Sequence, residues 1–184
     1  PDVRASVAEA HEKHYSSQLN LAHMQFMLKD VEYEFKMAKM EKSMAKQKMK
    51  MEKVKSERNK FAFKTKLMDA AKSAMRGHDK RSSALDDRIR YLKAQKKYLR
   101  KAVAHAKADV DLSEARFELA KAKLAKERKT IPKGFKLAKF VAQEKKAGKI
   151  AGQKAQKLKT AQSDVKSKEQ VWNKSNKASL PSSN

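Results

Sequence analysis

The chain lacks cysteine and has very few residues that interrupt helices. Its 184 residues include no Cys, four Gly and three Pro. The absence of cysteine excludes disulfides, thiolate metal ligands and cysteine nucleophiles. So few Gly and Pro residues leave room for only a few turns. Aromatic residues are also sparse, at 7%, and this composition argues against a compact globule.

Long hydrophobic runs and recognisable catalytic motifs are missing as well. No run of about 18 apolar residues occurs, so no membrane-spanning helix is predicted. Residues 1–15 are rich in charge and lack an apolar centre, so no signal peptide is predicted there. No Gly-rich phosphate loop, HExxH or GxSxG pattern is present. The sequence therefore predicts a protein that is not an enzyme, with no cofactor, no metal and no small-molecule substrate.

What the chain has in abundance is helix-forming residues and positive charge. Ala, Lys, Glu, Gln and Met dominate, and all of them favour helices. Lys and Arg number 46 against 21 Asp and Glu, which gives a net charge of +25. We expect an all-α fold, a long antiparallel helical hairpin or three-helix coiled coil of elongated form.

Three helices can be placed from the breakers and the turn signals. The first is predicted over residues 1–76, ending at Gly77 as a helix cap, with a turn over 77–82. The second is predicted over 83–130, with Ser83 as its capping residue. It ends before a turn over 131–134 that contains Pro132 and Gly134. The third is predicted over 135–175, followed by a frayed tail over 176–184.

The second helix carries the clearest periodic pattern. Apolar residues recur at alternating spacings of four and three, which is the spacing of a coiled-coil seam. A weaker ladder of the same kind follows in the third helix, with interruptions. The ladder of the second helix is Leu85, Ile89, Leu92, Lys96, Leu99, Val103, Ala106, Val110, Ser113, Phe117, Ala120 and Leu124; that of the third is Leu137, Val141, Gly148, Ala151, Ala155, Leu158, Val165 and Trp172.

The first helix has a repeat of seven residues that we also expect to pack in a seam. Its members are Leu19, Phe26, Tyr33, Met40, Gln47, Val54, Phe61, Met68 and Met75. All nine methionines lie in this predicted helix, and their spacing favours seam packing over a copper-binding or adaptable ligand surface. The first helix is predicted to be longer than the other two, so its N-terminal third could extend beyond them. The apolar residues of that third predict a homo-oligomer interface. The residues predicted for that interface are Leu19, Phe26, Leu28, Val31 and Tyr33.

The basic surface is the strongest functional signal. A charge of this size repels itself and favours a polyanionic partner. Candidates are nucleic acid, acidic glycan and anionic lipid. Lys far outnumbers Arg, so any binding to nucleic acid should be non-specific and sensitive to salt. The residues predicted to bind the polyanion are Lys39, Lys42, Lys46, Lys50, Lys53, Lys55, Arg58, Lys60, Lys64, Lys93, Lys97, Arg100, Lys101, Lys145, Lys146 and Lys149.

Three roles are compatible with these features. The first is a structural scaffold that docks on a polyanionic surface. The second is a nucleoid-type protein that compacts nucleic acid, and the third a helical protein that binds anionic membranes or glycans. His11 and His14 share a helix face and could hold a divalent metal, although two solvated histidines are the simpler interpretation.

The last third of the chain resembles a family. The segment 108–124 contains Glu114-Ala115-Arg116 and Ala120-Lys121-Ala122-Lys123; an Ile-Pro turn, Phe140-Val141-Ala142-Gln143 and Val171-Trp172 follow. This arrangement resembles coiled-coil envelope proteins, often lipoproteins, of deltaproteobacteria and their relatives. The resemblance implies a structural role in the bacterial envelope or periplasm, with no catalytic residues.

Overall fold

The computed structural model describes residues 3–131 and 134–179. The described residues form three α-helices, α1 (Val3–Phe61), α2 (Thr65–Glu127) and α3 (Leu137–Ser179), and they contain no β-strand. The predicted all-α class, with a helical hairpin or bundle, is confirmed. Within these residues, no helix offers a segment long and apolar enough to cross a membrane.

The predicted end of the first helix is wrong. The chain turns at residues 62–64, and the predicted turn over 77–82 lies inside α2. Glycine in a helix interior costs only about 1 kcal/mol relative to alanine, and packing of the residues around Gly77 outweighs that cost. The four-three ladder of α2 in fact begins well before Gly77, with Met68, Ala71, Met75, His78 and Ser82, all buried or half-buried.

A Schellman motif ends α1. The Lys64 N–H donates to the Asn59 carbonyl at 2.9 Å, and the Phe63 N–H donates to the Lys60 carbonyl at 3.2 Å. Phe63, the middle one of the three residues between the two helices, has a left-handed φ of 55°. Glycine usually holds this position. Because phenylalanine holds it here, no glycine marks the turn in the sequence.

The same motif ends α2, three residues earlier than predicted. The Thr130 N–H donates to the Ala125 carbonyl at 3.1 Å, the Lys129 N–H donates to the Lys126 carbonyl at 3.2 Å, and Lys129 has a φ of 55°. Of the predicted turn 131–134, residues 132–133 lie outside the described residues. Helix α3 begins two residues later than predicted and extends through 176–179, which were predicted to fray; residues 180–184 of that tail lie outside the described residues.

The chain divides into two compact units. The first contains the described residues of Pro1–Lys29 and Lys97–Gln162. In it, the His11 ring lies 5.3 Å from the Phe117 ring, and His14 Nδ1 lies 3.1 Å from Ser113 Oγ. Residue numbers therefore rise along α1 as they fall along α2, and the two helices are antiparallel. Helix α3 is antiparallel to α2, since Arg116 pairs with Glu144 and Lys101 contacts Lys157.

The second unit contains the described residues of Asp30–Lys96 and Ser163–Asn184. Its α1 and α2 segments are antiparallel, because Glu32 pairs with Lys96 at 2.9 Å and Lys42 pairs with Asp86. The end of α3 packs on the same α2 segment. The Trp172 ring stacks on Tyr91 with 5.5 Å between centroids, Ser175 donates to Asp87, and Arg81 donates to Asn176 at 3.3 Å.

The ladder predicted for the second helix faces the core. Every one of its twelve members is buried or half-buried. Leu85, Leu92 and Leu99 are the largest side chains that are fully enclosed, with 2%, 1% and 1% of their surfaces exposed. The eight residues of the α3 ladder are likewise buried or half-buried. Small side chains complete the core, so its helices can pack closely.

The seven-residue repeat predicted as the seam of the first helix faces outward instead. Within α1, Leu19, Phe26, Tyr33, Met40, Val54 and Phe61 are all more than half exposed. A ladder of smaller side chains, which includes Val31, Ala38 and Ala45, faces α2 in their place. Met40, Met44 and Met51 are exposed too, so the expected seam packing of the methionines is wrong for these three. The predicted members beyond the turn, Met68 and Met75, belong to α2 and are half-buried.

Candidate functional site

The basic residues predicted on the first helix differ in how available they are. Lys42 is half-buried and paired with Asp86, so its charge is already matched within the chain. Lys55 pairs with Glu52 at 2.7 Å on its own helix, yet 59% of its side chain is exposed. Lys39 Nζ lies 4.5 Å from the centre of the Phe35 ring. The remaining predicted residues on α1 are exposed: Lys46, Lys50, Lys53, Arg58 and Lys60.

The basic residues of the second and third helices are mostly exposed. Lys101 is the exception, since it is half-buried and donates to the Lys157 carbonyl at 3.4 Å. The exposed ones are Lys93, Lys97, Arg100, Lys145, Lys146 and Lys149, and Lys64 in the turn between α1 and α2 is exposed as well. These residues are spread over the turn, two helices and both units. Positive charge alone therefore does not locate a binding surface.

The position at which α3 ends along α2 distinguishes one basic segment from the others. Among the described hydrogen bonds between α2 and α3 in the second unit, the one nearest the α1–α2 turn joins Arg81 to Asn176. Only three described residues of α3 follow Asn176, which is about 4.5 Å of helix. They can extend beside about three residues of α2 at most, so they leave most of residues 65–80 uncovered. The segment 46–80, which we call the hairpin end, therefore consists of two helices and the turn between them.

The hairpin end is exposed and strongly basic. No residue from 46 to 70 is buried, and Ala71 is the one buried residue of the whole segment. The segment carries 12 Lys and Arg residues against four Asp and Glu residues. All twelve of these cations are exposed, because no third helix of the described residues lies beside most of the segment. The structure thus gathers seven of the predicted basic residues in one segment: Lys46, Lys50, Lys53, Lys55, Arg58, Lys60 and Lys64.

The turn of the hairpin end presents apolar side chains among the cations. Phe61 is 85% exposed and Phe63 is 94% exposed, while Leu67, one turn into α2, is 54% exposed. Lys60 and Lys64 lie next to the two phenylalanines and are exposed as well. The sequence pattern missed this feature, because Phe61 fits a helical repeat and no glycine marks the turn.

The residues predicted for an oligomer interface have different environments. Leu19, Phe26 and Tyr33 are exposed, with 55%, 68% and 63% of their surfaces accessible. Leu28 is half-buried. Val31 is 5% exposed because it packs inside the second unit, so it is not available to a second copy.

Neither histidine considered as a metal ligand belongs to a larger cluster of ligands. Among the described residues, no group of three or more His, Cys, Asp or Glu side chains could hold a metal ion. The His11 and His14 rings both pack against Phe117, and His14 also lies 3.0 Å from the Gln18 amide. His14 is half-buried and takes part in the packing of α1 on α2, whereas His11 is exposed, as expected for a solvated side chain, although its ring contacts Phe117.

An open groove of about 960 Å³ lies between α1 and α2 in the first unit. Its carboxylates already have partners. Glu9 pairs with Lys13 at 2.5 Å, Glu144 with Arg116 at 3.1 Å, and Asp109 lies 3.0 Å from a ring nitrogen of His105. The hydrogen bond and charge of Lys13 lower the pKa of the Glu9 carboxyl. The carboxylates of this groove are therefore engaged in hydrogen bonds or ion pairs with neighbouring side chains.

No protein-family model, curated protein or solved structure matches the chain. The resemblance to coiled-coil envelope proteins stays a prediction from the sequence.

Proposed function

We propose that the chain is a non-enzymatic coiled-coil scaffold that docks on a polyanionic partner through the hairpin end. The observation that carries this proposal is the charge of that segment, 12 cations against four carboxylates on two helices that α3 leaves mostly uncovered. Close-packed cations repel one another, and a polyanion relieves that repulsion while it releases its own counterions.

The chemistry of the surface favours recognition of charge over recognition of sequence. Lysine is a flexible point charge, whereas specific reading of bases depends on bidentate Arg, Asn and Gln contacts. Binding should therefore weaken steeply with salt and depend little on the order of bases or sugars. Nucleic acid, acidic glycan and anionic lipid all present such a surface.

We further propose that a second copy of the chain covers the outward stripe of α1. In the second unit the stripe has alternating spacings of four and three, which is the pattern of helix-to-helix packing. It lies roughly 150° around the helix axis from the ladder that faces α2, at about 100° per residue. Lysines flank it, so screening by salt should strengthen the association. The stripe consists of Tyr33, Met37, Met40, Met44, Gln47, Met51 and Val54.

Sedimentation equilibrium at several salt concentrations, with and without a short random DNA duplex or heparin, tests both proposals. A variant with Lys46, Lys50, Lys53 and Lys60 changed to Gln is compared with one in which Lys93, Lys97, Lys145 and Lys149 are changed. We expect the hairpin variant to lower the log–log salt slope by roughly 0.9 for each lost phosphate contact, and the control variant to leave most of it.

Equal losses in the two variants would place the binding elsewhere than the hairpin end. Docking on a polyanion would be refuted if the unaltered chain bound neither DNA nor heparin nor anionic vesicles. The mass of the protein alone should rise with salt. A monomer at every salt concentration would rule out the second copy.

A further inference from the structure

The turn of the hairpin end combines backbone strain with nearly complete exposure. Phe63 has a φ of 55° and is 94% exposed. A left-handed conformation is unfavourable for a bulky side chain, and glycine would form the same Schellman cap without that cost. Phe63 gains no compensating burial within the chain. Strain of this kind, at a side chain that packs on nothing, points to a contact outside the molecule.

The surroundings of Phe63 indicate the chemistry of that contact. Phe61, Phe63 and Leu67 give the turn three exposed apolar side chains. Six Lys and Arg residues and two carboxylates, Glu57 and Asp69, lie between residues 55 and 72. The long stems of the lysines can lie along an apolar layer while their amines reach anionic headgroups. An apolar tip within a ring of cations matches the interface of an anionic bilayer.

We propose that the α1–α2 turn inserts Phe61 and Phe63 into the interfacial layer of an anionic lipid membrane. This inference rests on the proposed docking function, because it names the polyanion that the hairpin end meets. A second copy is a poor fit at the turn, since it would bring the same cations together. Nucleic acid fits less well than lipid, because Leu67 cannot stack on a base and no Asn or Gln side chain is exposed beside the two phenylalanines.

The structure offers variants that separate the fold from the contact. Phe63→Gly suits the left-handed position, so it should remove the apolar side chain and leave the melting temperature unchanged or higher. Phe61→Ser removes the second ring. Lys129→Gly is the matched control, because Lys129 holds the same position with the same φ at the end of α2. Tyr15→Ser removes an exposed aromatic ring away from the turn, since Tyr15 is 59% exposed.

Binding is measured by co-sedimentation with vesicles of phosphatidylserine and phosphatidylcholine, and with vesicles of phosphatidylcholine alone. We expect the unaltered chain to bind the anionic vesicles more strongly. The double variant Phe61→Ser, Phe63→Gly should lose about tenfold in partitioning for each phenylalanine, while its heparin binding stays the same. Lys129→Gly and Tyr15→Ser should bind vesicles as the unaltered chain does.

Two results would overturn the inference and leave the docking function in place. In the first, the unaltered chain binds heparin and DNA but not anionic vesicles. In the second, vesicle binding survives the loss of both phenylalanines and is lost when Lys60, Lys64 and Lys66 are changed to Gln. Failure to bind any of the three polyanions would overturn the docking function as well.

Discussion

Single residues govern where this chain turns. Both α1 and α2 end in Schellman motifs whose left-handed position is held by a side chain other than glycine, Phe63 in one and Lys129 in the other. Each costs about 1–2 kcal/mol relative to an unstrained residue. Helix packing on both sides of each turn holds the conformation in spite of that cost.

The helical glycines offer a direct test of local stability. Gly77 and Gly152 lie inside helices, and an added Cβ would meet nothing within 4 Å at either one. We expect Gly77→Ala and Gly152→Ala each to raise the free energy of unfolding by about 0.5–1 kcal/mol, because alanine loses less conformational entropy in a helix. Urea denaturation followed by circular dichroism measures the change.

The control for these substitutions is Gly134, which has a φ of 89°. Alanine is strained in that conformation, so Gly134→Ala should lower the stability. If Gly77→Ala destabilises the chain, α2 does not pass straight through residue 77.

The environment of Tyr91 predicts that the stability of the folded chain depends on pH. Partial burial, and then the charges of Glu169 and Glu34, raise its pKa above the ordinary value of 10.0. Its contribution to stability is therefore complete below the pKa of the unfolded chain and is lost as the pH rises from that value through the folded pKa. We expect the unaltered chain to lose more stability than Tyr91→Phe between about pH 9 and pH 11.

Urea denaturation of the unaltered chain and of Tyr91→Phe across this pH range measures the difference. Identical pH profiles for Tyr91→Phe and the unaltered chain would show that burial of this phenol has no energetic effect.

At the scale of whole elements, the sequence predicts the core face of α2 but not the orientation of α1. The α2 ladder is unambiguous because Leu85, Leu92 and Leu99 recur on one face with few interruptions. Helix α1 carries apolar residues on two faces, and the face with the larger side chains is the one that points outward. Periodicity alone cannot choose between them, because the choice depends on whether close packing against α2 favours Ala38 and Ala45.

A pair of substitutions tests this assignment of faces. Leu92 is 1% exposed, whereas Met44 is 55% exposed on the outward stripe. Leu92→Ala should cost about 2–5 kcal/mol, because it removes buried methyl groups and leaves a cavity. Met44→Ala should cost less than about 0.5 kcal/mol in dilute protein at low salt. Chemical denaturation of both variants measures the difference, and similar losses would contradict the assignment.

The candidate site was only partly predictable from the sequence. Its lysines are visible in the composition, and seven of the sixteen basic residues proposed from the sequence lie in the hairpin end. Their selection depends on the reach of α3, which is a tertiary property. The exposure of Phe63 depends on a turn without glycine, so no local signal in the sequence could have indicated it.

The whole molecule is governed by its net charge of +25. Repulsion of this size opposes folding, and salt screens it over a Debye length that falls from about 30 Å at 0.01 M to about 8 Å at 0.15 M. We expect the melting temperature, measured by circular dichroism, to rise over this range. A fall would show that the ion pairs, such as Lys96 with Glu32, outweigh the repulsion.

The early end of α3 also has a consequence for backbone opening within the second unit. Near Leu92, α2 is packed against both α1 and α3. Between residues 65 and 80, α1 is the described helix that lies beside most of α2. Local opening should therefore cost less free energy in the hairpin end, and its amides should exchange with deuterium first. The least protected part of this unit would then be the part that carries Phe61 and Phe63, so contact with a partner would register as slowed exchange there.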